Sequence, residues 1–306
     1  MTYNIIGKRF WFFLVSAVLI AVSIISLATY GLKPGIEFSS GSILTVQFDT
    51  QVDYDQFQQE ITALGYTDAI VQRSGENRFL IRTGELTDSE KQGIEAALTT
   101  RFGQVTEAQF NSVSPMVAAE TTRNASIAVA IAMIGMLLYV TWAFRRMPSP
   151  FRWGTCFVIA LLHDLLVTVG IFSLLGGLLG WEINLMFITG LLAIVGVSLD
   201  NTIVVFDRMR ENMIRGVSAN FEIVANNSQI ETLGRSLNTS LTILITTLAL
   251  LLFVGASIQN FVVTFLIGLV AGTFDSVFVA PGLLVVWNKG EWGRFIPFRR
   301  PSLEKA

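Results

Sequence analysis

The segment that decides the fold is Ile183–Phe206, which reads INLMFITGLLAIVGVSLDNTIVVF. Its apolar residues surround the helix axis, and about 20 such residues cross the hydrocarbon core of a bilayer. Asp200 interrupts the segment, with Asn201 beside it. Because an ionised side chain at this depth costs several kcal/mol, an intramembrane acid is a functional-site hypothesis. Desolvation favours the neutral form of such an acid, so we expect Asp200 to bind and release a proton.

Similar apolar segments recur along the chain. The sequence has 306 residues, 52% hydrophobic and 14% charged, whereas a soluble domain has about 25% charged residues. The predicted membrane spans are Phe10–Tyr30, Ala125–Phe144, Gly154–Leu175, Ile183–Phe206, Leu237–Ala256 and Phe261–Trp287. We therefore predict an α-helical membrane protein with six transmembrane helices.

The first span resembles a signal peptide, since Lys8 and Arg9 precede it. Its apolar run is longer than the 7–15 residues typical of a cleaved signal, so we expect an uncleaved anchor. The single cysteine, Cys156, falls in the third span, where it acts more often as an apolar filler than as a reactive thiol. One cysteine also excludes an internal disulfide.

Basic residues fall on one side of a six-span topology. They precede span one, separate spans two and three and spans four and five, and follow span six: Lys8, Arg9, Arg145, Arg146, Arg152, Arg208, Arg210, Arg215, Arg235, Lys289, Arg294, Arg299, Arg300 and Lys305. Short loops rich in Lys and Arg stay in the cytoplasm. Both termini are therefore predicted to be cytoplasmic. The net charge of −2 is no sign of nucleic-acid binding, and no nucleic-acid partner is expected.

The long connection after span one is predicted to be an extracytoplasmic domain, residues 32–123. Its predicted elements are strand Ser42–Phe48, helix Asp53–Leu64, strands Ala69–Gln72 and Arg78–Arg82 around a turn at Ser74–Asn77, a helix from Thr87 to Phe102, and strand Gln104–Val113. Thr87 and Glu90 have the spacing of a capping box. The order βαββαβ predicts a ferredoxin-like α+β domain. The other expected parts are 1–31 (N-terminus and first span), 124–288 (spans two to six) and 289–306 (basic tail).

Further polar residues lie in or beside the predicted spans. His163 and Asp164 are in span three, Asp275 is in span six, and Arg235 precedes span five. Together with Asp200 and Asn201 they are candidates for a proton or ion relay, because acids and imidazole exchange protons and a guanidinium stabilises a nearby carboxylate. The alternative for each is a polar helix-packing contact. One histidine excludes a three-histidine zinc centre, and no metal or cofactor is predicted.

Asp207 and Arg208 form a charged motif at the end of span four. We keep two interpretations open for them, a functional motif and a solvated helix end that marks the topology.

Several motifs resemble one family in matching order. They are Gly35–Gly41, Ala160–Phe172, Glu182–Leu185, Gly196–Asn212, Arg235–Thr242 and Ile267–Thr273. The chain is similar to the SecF family of bacterial protein-export membrane subunits, within the resistance–nodulation–division superfamily.

The resemblance implies a non-enzymatic subunit of the bacterial cytoplasmic (inner) membrane. Its partners would be SecD, in a heteromer, the SecYEG channel with SecA acting upstream, the emerging preprotein and the lipid bilayer. It would couple proton or sodium flow to late export. The family motif is Asn-Asp-Thr, which places Asn201 at the carboxylate position and Asp200 one residue, about 100° of helix rotation, away. Arg235 matches the position of the arginine partner.

Two other functions stay open. A half-sized exporter of small molecules or lipids would share the buried acids and the outer domain. A membrane-anchored assembly factor would use the acids only for packing, and its function would not respond to proton uncouplers. We find no nucleophile–base pair, phosphate loop or metal-ligand cluster typical of a hydrolase.

Overall fold

The computed structural model describes residues 3–73 and 75–292, except for the side chains of residues 106–108 and 256–257. The chain divides into two compact units, one formed by residues 1–33 with 128–306 and the other by residues 34–127. The predicted tail residues Arg294, Arg299, Arg300 and Lys305 lie outside the described residues.

Ten α-helices and four strands follow one another in the described residues, with a one-turn 3-10 helix at Ile6–Lys8 and a π-helical turn at Asp275–Val279. In chain order the elements are α1 Arg9–Tyr30, α2 Ile36–Ser39, β1 Gly41–Phe48, α3 Tyr54–Ala63, β2 Ile70–Arg73, β3 Arg78–Thr83, α4 Asp88–Phe102, β4 Val105–Val113, α5 Pro115–Ala143, α6 Pro150–Leu179, α7 Leu185–Ile214, α8 Phe221–Phe253, α9 Ala256–Phe274 and α10 Ala280–Lys289.

Six helices are long and apolar enough to cross a membrane, which confirms the predicted number of spans. The sixth is continuous through the π-helical turn, from Ile258 to Lys289. Several helices extend beyond the predicted spans. The longest extension is in α8, which begins at Phe221 instead of Leu237 and is capped by the side chain of Asn220, which accepts from the Glu222 N–H. Hydropathy marks the width of the hydrocarbon core, so it misses polar turns that continue a helix into water.

Close helix approach in the bundle depends on small residues. A Cβ added at Gly268 of α9 would overlap the side chain of Ile194 of α7, and one at Gly190 would lie 2.8 Å from Thr264 Cβ. The glycines thus let α7 and α9 pack backbone to backbone, as small residues do in membrane helices.

At the end of the bundle where the chain begins, charged residues hold three helices together. The guanidinium of Arg9 lies 2.8 Å from Glu222 and 2.5 Å from Glu291, and Lys289 pairs with Glu222. Asn226 adds a hydrogen bond, accepting from the Ile5 N–H at 2.8 Å. α1, α8 and the end of α10 are therefore joined by ion pairs of a nearly buried arginine.

The second unit contains a four-stranded antiparallel sheet in the order β2-β3-β1-β4, with α3 and α4 between strands in sequence. Its core is aromatic: Phe57 and Phe79 stack with ring centroids 4.3 Å apart. The predicted capping box is confirmed, since the Glu90 carboxylate accepts from the Thr87 N–H at 2.8 Å. The predicted strands and helices recur within about two residues, while the short helix α2 was not predicted. Ser74 of the predicted turn lies outside the described residues.

Candidate functional site

Three ionisable side chains meet in the interior of the bundle. His163 and Asp164 extend from α6, and Asp275 begins the π-helical turn after α9. His163 Nδ1 lies 2.6 Å from Asp275 Oδ2 and 3.7 Å from Asp164 Oδ1. Both carboxylates are fully buried and the histidine is 6% exposed. We call His163, Asp164 and Asp275 the polar trio.

The backbone around the polar trio explains how these groups come together. A Cβ at Gly272 would lie 3.2 Å from Asp164 Oδ2, so glycine lets α9 approach this carboxylate. A π-helical turn adds one residue to a helical turn and often marks a functional site. Here the turn starts at Asp275 and its Val277 carbonyl accepts from the buried Gln229 side chain of α8 at 2.5 Å.

Buried hydroxyl and amide groups lie in the same part of the bundle, and one of them contacts the polar trio. Ser198 of α7 donates to Asp164 Oδ2 at 2.8 Å, and Ser276 donates to the Ser198 carbonyl at 3.4 Å. Further contacts join Thr202 to Ser276 at 2.9 Å, Asn201 to Ser240 at 3.3 Å and Thr273 to Ser240 at 2.8 Å. We call Ser198, Asn201, Thr202, Ser240, Thr273 and Ser276 the hydroxyl network. Ser276 and Thr202 connect to the trio through Ser198, while Asn201, Ser240 and Thr273 link α7, α8 and α9.

Asp200 lies on a different face of α7 from Asn201. Asn201 is buried within the hydroxyl network, whereas the Asp200 side chain is exposed on the surface of the bundle. Within the described chain, Asp200 makes no hydrogen bond or ion pair. The structure therefore does not bring Asp200 to the polar trio.

Arg235 of α8 is also exposed, and in residues 3–73 and 75–292 it forms no ion pair with an acid. The span-end motif is paired locally. Asp207 lies 2.5 Å from Arg210, and Arg208 lies 2.5 Å from Glu231 and from Glu211. Arg208 thus joins α7 to α8 through Glu231, and among the described residues the motif makes no contact with the polar trio.

The polar trio retains unsatisfied polar atoms. Although His163 Nδ1 is close to Asp275 Oδ2, the approach is not aligned as a directed hydrogen bond. In the described residues His163 Nε2, Asp164 Oδ1 and both Asp275 oxygens have no hydrogen-bond partner. One ligand atom from each member lies within 4.8 Å of the others, so the three groups are close enough to share a bound proton. An isolated buried charge is costly, so binding of a proton that neutralises the group is favourable.

Some residues of this site were missed by sequence reasoning. Ser198, Ser276 and Gln229 are buried and polar; the first two belong to the hydroxyl network, and Gln229 donates to the Val277 carbonyl of the π-helical turn. A signal for Ser198 existed, because it lies three residues before Asn201 on the buried stripe of α7. For Ser276 and Gln229 no sequence spacing indicates the contact, since it depends on the π-helical turn.

Comparison with known proteins gives consistent matches. The family model "Protein export membrane protein SecD/SecF, C-terminal" matches residues 94–290, and the "SecD/SecF GG Motif" matches residues 25–52. "Protein translocase subunit SecF" from Thermobaculum terrenum is 40% identical, over 99% of both chains. The protein of the same name from Anaerolinea thermophila is 39% identical, over 94% of this chain and 95% of its own.

A solved structure shares the architecture. The crystal structure of SecDF, a translocon-associated membrane protein from Thermus thermophilus, superposes with a TM-score of 0.81 and 28% identity. The match covers 94% of this chain but only 39% of the SecDF chain. This chain is therefore similar in length to the two curated relatives and corresponds to about two fifths of the larger protein.

Proposed function

This chain belongs to the SecD/SecF family of protein-export membrane proteins, and from that premise we propose that it works as the SecF-type subunit of a bacterial protein translocase. It would assist Sec-dependent preprotein translocation by coupling proton or sodium flow to late export. The observation that supports this best is a 40% identity over 99% of the chain, combined with a buried ionisable trio in the membrane bundle. The chain would act as a transport subunit and not as an enzyme.

The integral membrane character follows from the six candidate spans, and we place the chain in the bacterial cytoplasmic membrane. Basic side chains support cytoplasmic termini: Arg145, Arg146 and Arg152 flank the α5–α6 connection, and Arg215 follows the end of α7. In this orientation residues 32–123 are extracytoplasmic. The parts 1–31, 124–288 and 289–306 then hold the first span, the other five spans and a cytoplasmic tail.

The extracytoplasmic part is proposed to be a ferredoxin-like domain. The supporting features are the element order β1-α3-β2-β3-α4-β4 and the antiparallel strand order β2-β3-β1-β4. In a split βαβ unit each helix connects two parallel strands that have a third strand between them, which this order satisfies.

SecD is the proposed direct partner. Asp200 and Arg235 lie on exposed faces of spanning helices, and a charged group facing lipid tails is costly. A SecD helix that covers α7 with a hydrogen-bond donor opposite Asp200 removes that cost. The larger SecDF chain of the Thermus structure, of which this chain matches 39%, supports a second membrane module. SecYEG, SecA and the preprotein are the remaining proposed partners.

The ion relay is proposed to have two parts. His163, Asp164, Asp275 and Asn201 lie in the interior, while Asp200 and Arg235 face the proposed partner. The interior part would take up the ion, and the outward part would sense or complete the partner contact. Asp207 and Arg208 are assigned to holding the helix ends and marking the cytoplasmic side.

The test is an export assay in cells where this chain and its SecD are the sole source of SecDF activity. We expect the chain to accelerate release of a secreted precursor, and a protonophore or sodium ionophore to abolish that difference. No difference with or without the chain would refute the translocase function. An acceleration that survives both ionophores would instead support a non-transporting assembly factor.

A further inference from the structure

We propose that the polar trio is a site for one proton shared between the carboxyl groups of Asp164 and Asp275, with His163 as its charge partner. The binding stands on the geometry of the bundle, and only its role in export rests on the proposed function. This site differs from Asp200, the acid that the sequence ranks first.

Charge balance leads to one shared proton. Two carboxylates and one imidazolium leave the polar trio with a net charge of −1, and a bundle interior favours a neutral group. One added proton, bound to a carboxylate oxygen of Asp164 or Asp275, makes the net charge zero. The carboxylate gains an O–H bond, the second carboxylate remains paired with the imidazolium, and release returns the net charge to −1. One ligand oxygen of Asp164 and one of Asp275 lie within 4.8 Å of each other, and buried carboxylates that are close together commonly share a proton in this way.

The short distances fit a proton better than a metal ion. Two ligands of one metal, each about 2.1 Å from it, are about 3 Å or more apart. His163 Nδ1 and Asp275 Oδ2 are 2.6 Å apart, which leaves no room for an ion between them. An imidazole nitrogen is also a poor ligand for a hard alkali cation, for which oxygen is the better donor.

In residues 3–73 and 75–292, no other charged side chain pairs with the polar trio. On the helices packed around it, the other titratable groups are Arg9 and Tyr30 of α1, Arg152 and Cys156 of α6, Asp200, Asp207, Arg208, Arg210 and Glu211 of α7, Glu222, Glu231 and Arg235 of α8, and Lys289 of α10. Among the described residues none of these hydrogen-bonds or ion-pairs with the trio. Its only other direct side-chain partner there is Ser198, which donates to Asp164 Oδ2.

The unsatisfied atoms indicate where the proton binds. Asp164 Oδ1 and Asp275 Oδ1 are buried and have no hydrogen-bond donor in the described part of the chain. A proton on one carboxyl group supplies the missing donor to the other. Asp164 Oδ2 already accepts from Ser198, so this oxygen is the less favourable site for protonation.

Infrared spectroscopy of the full chain in lipid vesicles tests the proposal directly. A protonated buried carboxyl group has a C=O stretch that is separate from the carboxylate bands and shifts to lower frequency in heavy water. We expect this band in the wild type at neutral pH, its loss in Asp164→Asn and in Asp275→Asn, and its recovery in Asp275→Glu. The matched control Asp207→Asn, at a span-end acid paired with Arg210, leaves it unchanged. Circular dichroism and size-exclusion profiles verify the fold of each variant.

A second infrared measurement uses only the wild-type chain. Wild-type vesicles are measured at fixed pH with increasing NaCl or ZnCl2, and we expect the band to stay constant. Loss of the band on adding Na⁺ or Zn²⁺ would show that the site holds a metal ion and would overturn the proposal, as would a band that persists in both Asn variants. The infrared measurement does not depend on export. If the wild type shows the band but Asp275→Asn does not change export, only the proposed function is refuted.

Discussion

His163 and Asp275 are 112 positions apart in the sequence, and their side chains lie 2.6 Å apart between α6 and the π-helical turn that follows α9. Both are buried, and Asp164 completes the group. This contact joins the third and sixth spans. We therefore expect a change of protonation at this contact to alter the packing of these two membrane helices.

The His163–Asp275 contact should be measurable as a coupling energy. We compare the melting temperatures of wild type, His163→Gln, Asp275→Asn and the double variant in detergent. Removing one member leaves the other as an unpaired buried polar group, so each single change should destabilise the chain. The double variant should be less destabilised than the sum, with a coupling of about 0.5–3 kcal/mol. Strict additivity would show that the two groups do not interact.

Gly268 should be sensitive to a single methyl group. A Cβ at this position overlaps Ile194, so Gly268→Ala should separate α7 from α9 and cost about 1–3 kcal/mol. Gly196 of α7 is the matched control, because a Cβ there meets no atom within 4 Å. Thermal unfolding of the purified chain measures both. Equal stability of the two variants would contradict the close packing at Gly268.

The ion pairs of Arg9 should matter more than a surface pair. Arg9 is 5% exposed in its side chain and contacts Glu222 and Glu291, so Arg9→Gln should cost about 3 kcal/mol. Arg101→Gln removes an exposed contact to Glu60 at 3.8 Å and should cost about 0–1 kcal/mol. Chemical denaturation in detergent compares the two, and an equal effect would remove the structural role assigned to Arg9.

The capping box predicts a pH dependence at the start of α4. Hydrogen bonds from the Thr87 N–H and hydroxyl hold the pKa of Glu90 below its ordinary value. A lowered folded-state pKa gives stability that is complete above the unfolded-state pKa and is lost as pH falls through the folded-state value. Amide hydrogen exchange at the start of α4 should therefore accelerate in acid, after correction for intrinsic rates.

Glu90→Gln provides the control for that measurement. The glutamine keeps an acceptor for the Thr87 N–H but does not titrate, so exchange at the start of α4 should lose its acid step. If the acid step persists in this variant, another titrating group causes it.

Asp200 should control association with SecD and not the fold of this chain. It is exposed on α7, so Asp200→Leu should leave the melting temperature of the isolated chain unchanged or raise it slightly. Co-purification with SecD should fall, because the proposed partner donor loses its acceptor. Asp207→Asn is the matched control, since it changes an acid at the end of the same helix and should leave co-purification intact. If Asp200→Leu and the wild type recover equal amounts of SecD, SecD contacts another surface of this chain.

Much of the architecture follows from local pattern in the sequence. Apolar runs identify the six spans because each must cross the same hydrocarbon width, and Thr87 and Glu90 identify the start of α4 because a capping box is local. The extension of α8 to Phe221 escapes this reasoning. Its first turns are polar and resemble a loop by composition, although Asn220 caps them.

The interior site is less accessible from sequence. Composition makes Asp200 the first candidate because it is ionisable within an apolar run. Whether its side chain faces the interior depends on which residues of α7 form the buried stripe, and composition does not show this. In α7 that stripe includes Ile194, Ser198, Asn201 and Val205, and Asp200 falls beside it. Contacts between distant residues, such as His163 with Asp275, depend on helix packing and on the π-helical turn, which no local pattern indicates.

Proton movement through the assembled subunits tests the central claim most directly. Vesicles containing this chain with SecD, and a pH-sensitive dye inside, are subjected to an imposed proton gradient. We predict proton flux above the level of empty vesicles for the wild type, and flux at that level for Asp275→Asn. Flux in Asp275→Asn equal to that of the wild type would contradict the account.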